Sequence, residues 1–304
     1  MESAVIVPTL NAESEWARFA PAILASASPQ AVLIVDSQST DATVDLAMRA
    51  GFRVHSIPRS AFNHGGTRQL AAEMLGDAEV LVYLTQDAIL ANAEALRNLI
   101  AVFADPQVAV AYGRQLPRPG AGAIEQHARH FNYPESPQLR ALESKEHLGF
   151  KAIFLSNSFA AYRRSALLAV GGFPSDVIFG EDTVTAARLL IAGHTIAYVP
   201  EACVYHSHAY SWRQEFRRYF DIGVLHGRER WLLEEFGAAT GEGKRFLKSE
   251  LRHLLRHDPS QIPSALIRTA MKLSGYRLGR MEKNISPDLK MRLSMHRHFW
   301  IPKS

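Results

Sequence analysis

Two short acidic motifs carry the chemistry open to this chain: Leu84-Thr85-Gln86-Asp87 and Phe179-Gly180-Glu181-Asp182. The first closes an apolar run of the kind that forms a buried strand, and the second opens a helical pattern after a glycine turn. An acid at a strand tip suits Mg²⁺ or Mn²⁺, hard cations that take oxygen ligands and bridge substrate phosphates. An acid on a rigid helix start can be held within hydrogen-bond reach of a hydroxyl and take its proton. The pair therefore implies cleavage of a nucleotide-activated sugar. Asp87 would hold a metal on the diphosphate, and Asp182 would deprotonate the acceptor hydroxyl.

Other strand ends supply the rest of a donor site. Val7-Pro8-Thr9-Leu10-Asn11, with Glu13 just beyond, stands where a dinucleotide-binding fold would place Gly-x-Gly-x-x-Gly, which argues against an NAD or FAD enzyme. Asp36, at the tip of the second apolar run, can accept the ring N–H of a pyrimidine. Ser39, Thr40 and Asp41 after it suit a helix N-cap. In Asn63-His64-Gly65-Gly66-Thr67-Arg68, two glycines opening a helix would let backbone N–H groups approach an anion, with Arg68 forking onto a phosphate. His206 and His208 lie two apart on an extended segment and so face one side. That spacing permits metal or diphosphate contact, and a purely structural histidine is an equal alternative for each.

These residues need a scaffold. Apolar runs at 4–7, 32–35, 53–57, 80–84 and 108–112 alternate with helical patterns at 13–26, 42–50, 66–75 and 93–103. Such alternation predicts a parallel, doubly wound sheet whose ligands bind at the carboxyl ends of the strands. Residues 115–149, rich in proline and histidine, read as a long excursion over one side of the site, where acceptor recognition is expected. Strands are expected again at 153–156, 195–199 and 202–206, with a helix at 181–192. Beyond Ser211 the pattern is helical: Phe216, Phe220, Val224 and Trp231 share a face, and helices continue at 249–257, 262–273 and 289–298. A soft boundary near residue 211 separates domain 1–211 from a helical region, 212–304.

Hydrophobic content of 47% and charged content of 21% exclude a disordered chain. The lone cysteine, Cys203, excludes a disulfide framework and any cysteine-only metal site, and its apolar neighbours predict burial. No stretch approaches the ~20 apolar residues of a membrane span. The N-terminus lacks a basic leader and enters a strand at once, so cytoplasmic residence is expected. Residues 1–211 carry net charge −5 and residues 212–304 carry +9. A basic tail on an acidic body points to an anionic partner, foremost a lipid surface on the inner face of the cytoplasmic membrane, with a solvated helical face as the alternative. No nucleic-acid reading motif accompanies the arginines, so nucleic acid is not expected.

At this point the motifs match a known group. Pro8-Thr9-Leu10-Asn11, Asp36-Ser37-Gln38-Ser39-Thr40-Asp41, Thr85-Gln86-Asp87 and Glu181-Asp182 together resemble the GT-A glycosyltransferases of family two. Residues 62–68, Gly171-Gly172-Phe173-Pro174, and Tyr198-Val199-Pro200-Glu201-Ala202 running into His206 are similar to the bacterial rhamnosyltransferase subgroup. That subgroup uses dTDP-L-rhamnose to build lipopolysaccharide or other surface glycans. The resemblance covers residues 4–211, and less specifically the tail through Tyr219-Phe220-Asp221-Ile222-Gly223.

The resemblance implies a GT-A nucleotide-sugar-binding fold, with a mostly parallel sheet, flanking helices and a C-terminal helical extension. It implies nucleotide contacts at Pro8, Thr9, Asn11, Glu13 and Asp36, with Asn63, Gly65, Gly66 and Gln86 completing the donor site and Arg68 on the diphosphate. It further implies Mg²⁺ or Mn²⁺ at Asp87 with His206 as second ligand, Asp182 as general base, and a glycan or lipid-linked glycan acceptor. The chain departs from the family's Asp-x-Asp pattern, because Thr85 stands where the first acid is often found. No residue reads the sugar, so UDP-glucose, UDP-galactose or UDP-N-acetylglucosamine are rival donors. A non-catalytic sugar-nucleotide or glycan-binding partner is the remaining rival.

Overall fold

The computed structural model describes residues 1–237 and 241–301. Alternation begins as expected, with β1 (Ser3–Thr9), α1 (Glu13–Leu24), β2 (Val32–Asp36), α2 (Thr43–Arg49), β3 (Arg53–Ser56), α3 (His64–Met74) and β4 (Val80–Leu84). β2 and β4 are buried along their whole length, which is why their Val and Leu runs do not alternate with polar residues. The short β5 (Ile89–Leu90), α4 (Ala95–Ala101) and β6 (Val108–Leu116) follow. The expected excursion is partly regular and contains α5 (Ala123–Asn132), β7 (Gln138–Arg140) and α6 (Lys145–Leu148). Next come β8 (Phe159–Arg163), α7 (Arg164–Ala169), α8 (Glu181–Ile191) and β9 (Thr195–Tyr205). The tail adds α9 (Trp212–Arg228), α10 (Arg230–Phe236), α11 (Glu242–His257), α12 (Ile262–Arg280) and α13 (Pro287–Leu293).

The strands form one sheet in the order β3-β2-β1-β4-β8-β6-β9-β5, with β7 also paired to β9. It is mostly parallel but mixed. β8 runs antiparallel between β4 and β6, so the carboxyl ends of β4 and β6 still point the same way. Three expectations need correcting. Residues 153–156 are not a strand: a 3₁₀ turn over Gly149–Ile153, with Ile153 buried, leads into an irregular segment with Leu155 buried, and the strand is β8. Residues 195–199 and 202–206 belong to a single strand, whose pairing with β6 jumps from Gly113↔Val199 to Arg114↔Cys203. Pro200 has no N–H to donate to a ladder, so the extra residues bulge instead of ending the strand. Cys203 is half-buried, its Sγ 3.0 Å from the Pro200 carbonyl.

The tail is not an appendage with its own core. Ser211 caps α9 in a capping box with Gln214, and Phe220, Val224 and Leu225 of α9 with Leu232 and Phe236 of α10 join the core that contains Tyr83, Tyr162 and Phe173. α9 and α12 approach closely through glycines. A Cβ on Gly279 would fall 2.0 Å from the Phe220 carbonyl oxygen, and one on Gly223 would fall 2.3 Å from that of Tyr276. Only glycine permits backbones this close, and both partners are main chain, which cannot turn aside. Gly279→Ala is therefore expected to destabilise the protein by about 3 kcal/mol, the upper range of overpacking. Urea unfolding of this variant beside Gly76→Ala, a site with open space and no left-handed backbone, measures it; equal midpoints would refute the close-packed seam.

Candidate active site

Asp87 lies three residues past the end of β4. The Ala88 N–H donates to the Thr85 carbonyl (3.0 Å), closing a tight turn that lifts Asp87 over the carboxyl edge of the sheet. From the end of β9, His206 and His208 reach the same carboxylate, with Nε2–O distances of 3.4 and 3.6 Å. One ligand atom from each of the three residues lies within 4.8 Å of the others. The His206 Nδ1 meets Gln115 Oε1 at 3.0 Å. An amide oxygen can only accept, so Nδ1 carries the proton and the lone pair of Nε2 faces Asp87, the orientation a metal needs. Gln115 is itself held by Arg129. Burial works against the charge of Asp87, but His206, His208 and Thr85 outweigh it and hold the carboxyl well below its usual range. Burial and the neighbouring cationic groups push His208 down to about 4, which leaves it neutral and able to bind a metal. One carboxylate with two imidazoles fits a divalent cation, and imidazole nitrogen favours Mn²⁺ over Mg²⁺.

Asp182 is the second residue of α8, whose N-cap, Gly180, takes a left-handed conformation (φ 77°). Its Oδ1 accepts from the Thr183 N–H at 2.7 Å and its Oδ2 from the Asn157 N–H at 3.2 Å. Beside it, Glu181 is buried and paired with the equally buried Arg68 at 2.8 Å, with Asn157 Nδ2 donating at 3.1 Å. Burial opposes ionisation of Glu181, but Arg68 and His64 prevail and keep it charged. Burial and then that fixed charge raise Asp182 to about 6. Two adjacent acids thus divide their roles, one locked as an anion and the other poised near neutrality.

Asp87, Asp182, His206 and Arg68 all line one cavity of about 470 Å³. The other sequence-derived donor residues do not line it. Thr9 ends β1, Asn11 follows it, and Asp36 ends β2. Asp36 accepts from Thr9 Oγ1 (3.2 Å) and from the Ser39 N–H (2.9 Å), while Asn11 Oδ1 accepts from the Thr40 N–H (2.9 Å). Glu13 and Asp41 cap the starts of α2 and α1 reciprocally. Pro8 is half-buried at the same edge. The phosphate reading of residues 63–68 needs correction. Asn63 Oδ1 takes the Gly66 N–H at 2.6 Å, and a Cβ on Gly65 would lie 1.7 Å from the Pro174 carbonyl oxygen, so these residues cap α3 and pack it. Arg68 is likewise committed to Glu181 and the His64 carbonyl. Gln86 is not a free ligand either: its amide bonds both the N–H (2.7 Å) and the carbonyl (3.1 Å) of Leu10, tying β1 to β4.

Several residues around the cavity carried no motif. Asn157, in its wall, bonds Asp182 and Glu181 and accepts from Tyr162 at 2.8 Å, and Arg118, behind the wall, donates to the Asp87 carbonyl at 2.8 Å. From the tail come Arg218, Ile222, Leu225, His226 and His296. Ser156-Asn157-Ser158, a polar triplet between apolar runs, and Ile222 within Tyr219-Phe220-Asp221-Ile222-Gly223 were the signals the sequence offered.

A mostly parallel sheet with an acid–imidazole cluster and a second acid sharing one cavity at its carboxyl edge defines a GT-A glycosyltransferase. The chain belongs to the family described as glycosyltransferase like family 2, whose profile matches residues 2–220. It is 43% identical over 302 residues to the O-antigen chain rhamnosyltransferase RfbN of Salmonella typhimurium, covering 99% of this chain and 96% of that one. The O-antigen chain rhamnosyltransferase WbaN of Salmonella anatum is also 43% identical, over 97% of this chain and 95% of its own. Among solved structures, the mannosyltransferase PcManGT of Pyrobaculum calidifontis, in complex with GDP-Man and Mn²⁺, shares the fold with a TM-score of 0.63. It is 18% identical, over 93% of this chain and 86% of that one. TarS 1–349 of S. aureus, 17% identical, gives 0.55 over 93% and 91%.

Removing one partner of the Arg68–Glu181 pair strands a buried charge. Arg68→Met is expected to destabilise by about 3–5 kcal/mol, and Arg68→Met with Glu181→Gln to recover most of that. Denaturant unfolding of the three proteins is the check, and a double variant no more stable than the single would show that the pair is not what holds α3 to α8.

Proposed function

We propose that this chain transfers L-rhamnose from dTDP-β-L-rhamnose, with inversion, to a hydroxyl of a bacterial surface-glycan or lipopolysaccharide acceptor. The reading is supported by the near full-length identity to two O-antigen rhamnosyltransferases. The observation that carries the mechanism is the single cavity shared by Asp87 and Asp182. Asp182 accepts the acceptor's proton as its oxygen forms a bond to the anomeric carbon, while the opposite bond to the diphosphate oxygen breaks and dTDP leaves. A β-linked donor then yields an α-L-rhamnoside. Asp87, His206 and His208 would hold Mn²⁺ or Mg²⁺, which would neutralise charge developing on the diphosphate. Arg129 lines that end of the cavity and takes the cationic role that Arg68 cannot, while Arg118 braces Asp87 through its carbonyl. Pro8, Thr9, Asn11, Glu13 and Asp36 form the edge against which the pyrimidine nucleoside rests.

The chain should consume dTDP-rhamnose in preference to UDP-glucose, UDP-N-acetylglucosamine and GDP-mannose, and a chelator should stop it. Asp182→Asn should lower the rate 10²–10⁴-fold with dTDP binding retained. Because the base works ionised and is raised to about 6, activity is full above that pH and falls about tenfold per unit below it. Turnover of a UDP-hexose but not dTDP-rhamnose would overturn the donor assignment, and near-normal transfer by Asp182→Asn would overturn the base.

We further propose that the protein works in the cytoplasm, docked by its tail on an anionic membrane surface. Among the described residues no helix is long and apolar enough to cross a membrane. The tail combines net charge +9 with exposed Leu255, Leu266, Leu273 and Met281. Sedimentation with anionic vesicles at low salt should exceed that with neutral vesicles, and no difference would refute docking.

A further inference from the structure

A second cavity of about 430 Å³ adjoins the first, between α5 and the tail helices, and Arg129, Asn132, Phe154 and Ile222 line both. Its most unusual wall is Glu250 of α11, only 1% exposed. Among the described residues Glu250 has neither a hydrogen bond nor an ion pair. Its nearest charged neighbours are Lys272, Glu215 and Arg268, and Glu215 already engages Arg268 (3.4 Å) and Lys272 (3.7 Å). A buried carboxyl without a partner is costly unless something else satisfies it. Four carboxylic side chains and four arginine or lysine side chains line this cavity, so its formal charges balance and favour neither an anion nor a cation by count. Phe154 and Ile222 add an apolar face at the junction. Neutral charge, an unsatisfied acceptor and an apolar wall together match a neutral pyranose, which presents hydroxyl donors at its rim and C–H groups on its face.

We propose that this cavity is the acceptor site, that it takes a neutral hexopyranosyl unit, and that Glu250 accepts a hydrogen bond from one of its hydroxyls. The inference rests on the transferase reading, since only there does an adjoining sugar site have a use. The two cavities are continuous along Asn132 and Phe154, and His208 of the Asp87 cluster also borders both, so a sugar bound here lies beside that cluster and opens into the cavity that Asp182 lines. Burial raises the Glu250 carboxyl, a mark of poor solvation that a sugar hydroxyl would relieve.

Saturation-transfer NMR on the full chain, with methyl glycosides of neutral hexoses and one methyl glycuronide as probes, tests the site without turnover. At least one neutral glycoside should bind and the glycuronide should not. Glu250→Ala should weaken that binding at least tenfold, with Glu250→Gln intermediate, while dTDP with Mn²⁺ still raises the melting temperature of both variants. Ala128→Tyr, which fills the cavity from α5, should block the glycoside even if Glu250→Ala fails to fold. Glycoside binding unchanged in Glu250→Ala or in Ala128→Tyr, a glycuronide that binds better, or no neutral glycoside bound by the unaltered chain would each overturn the proposal. A chain that binds the glycoside but turns over no nucleotide sugar would overturn the transferase reading and leave the sugar site standing.

Discussion

The buried pair between Arg68 and Glu181 is the constraint on which the site depends. It joins α3 to the start of α8 across 113 residues of sequence, with both side chains almost wholly removed from water. A desolvated ion pair contributes little net stability, but its geometry tolerates little error, because loss of either partner leaves an uncompensated charge. Asn157 extends the constraint, since its side chain serves Glu181 and its backbone N–H serves Asp182. The carboxylate of Asp182 is thereby fixed in place, with its proton affinity raised to about 6. Position and proton affinity have the same cause.

The other half of the cavity is built by the sheet. β4 delivers Asp87, while β9 runs on through its bulge to deliver His206 and His208, and β6 contributes Gln115 to orient the nearer imidazole. β8, which separates β4 from β6, is followed by no site residue of its own but is preceded by Asn157. Closure falls to the tail: α9 supplies Arg218, Ile222 and Leu225, and the stretch after α13 supplies His296, which stacks on Phe179 at 5.7 Å between centroids. Helices that look separable by charge are thus part of the site's wall. The glycine seam between α9 and α12 lets them lie close enough to form it.

Much of this was legible in the residues. Fully apolar runs at 32–35 and 80–84 could only be buried strands, and acids at strand tips could only face the carboxyl edge. The convergence of Asp87 with His206 and His208 was partly legible from their spacing. Other features were not. Gly65-Gly66 opening a helix looks the same whether the space belongs to a phosphate or to the Pro174 carbonyl. An arginine one turn into a helix does not announce that a glutamate far along the chain will claim it. The Ala160-Ala161 pair weakened the signal of β8, and Pro200-Glu201 suggested a strand break where the chain only bulges. Glu250 carried no local signal, because its burial arises from packing among three helices.

The central claim is that one cavity holds a divalent cation between the Asp87 cluster and a diphosphate, facing the carboxylate of Asp182. Electron–nuclear double resonance of Mn²⁺ bound to the full chain with dTDP tests it most directly. The account predicts coupling of the ion to imidazole ¹⁴N and to ³¹P in the same complex, with the nitrogen signal weakened in His206→Ala. Mn²⁺ that binds with ³¹P coupling but no imidazole nitrogen, or with nitrogen but no phosphorus, would contradict it.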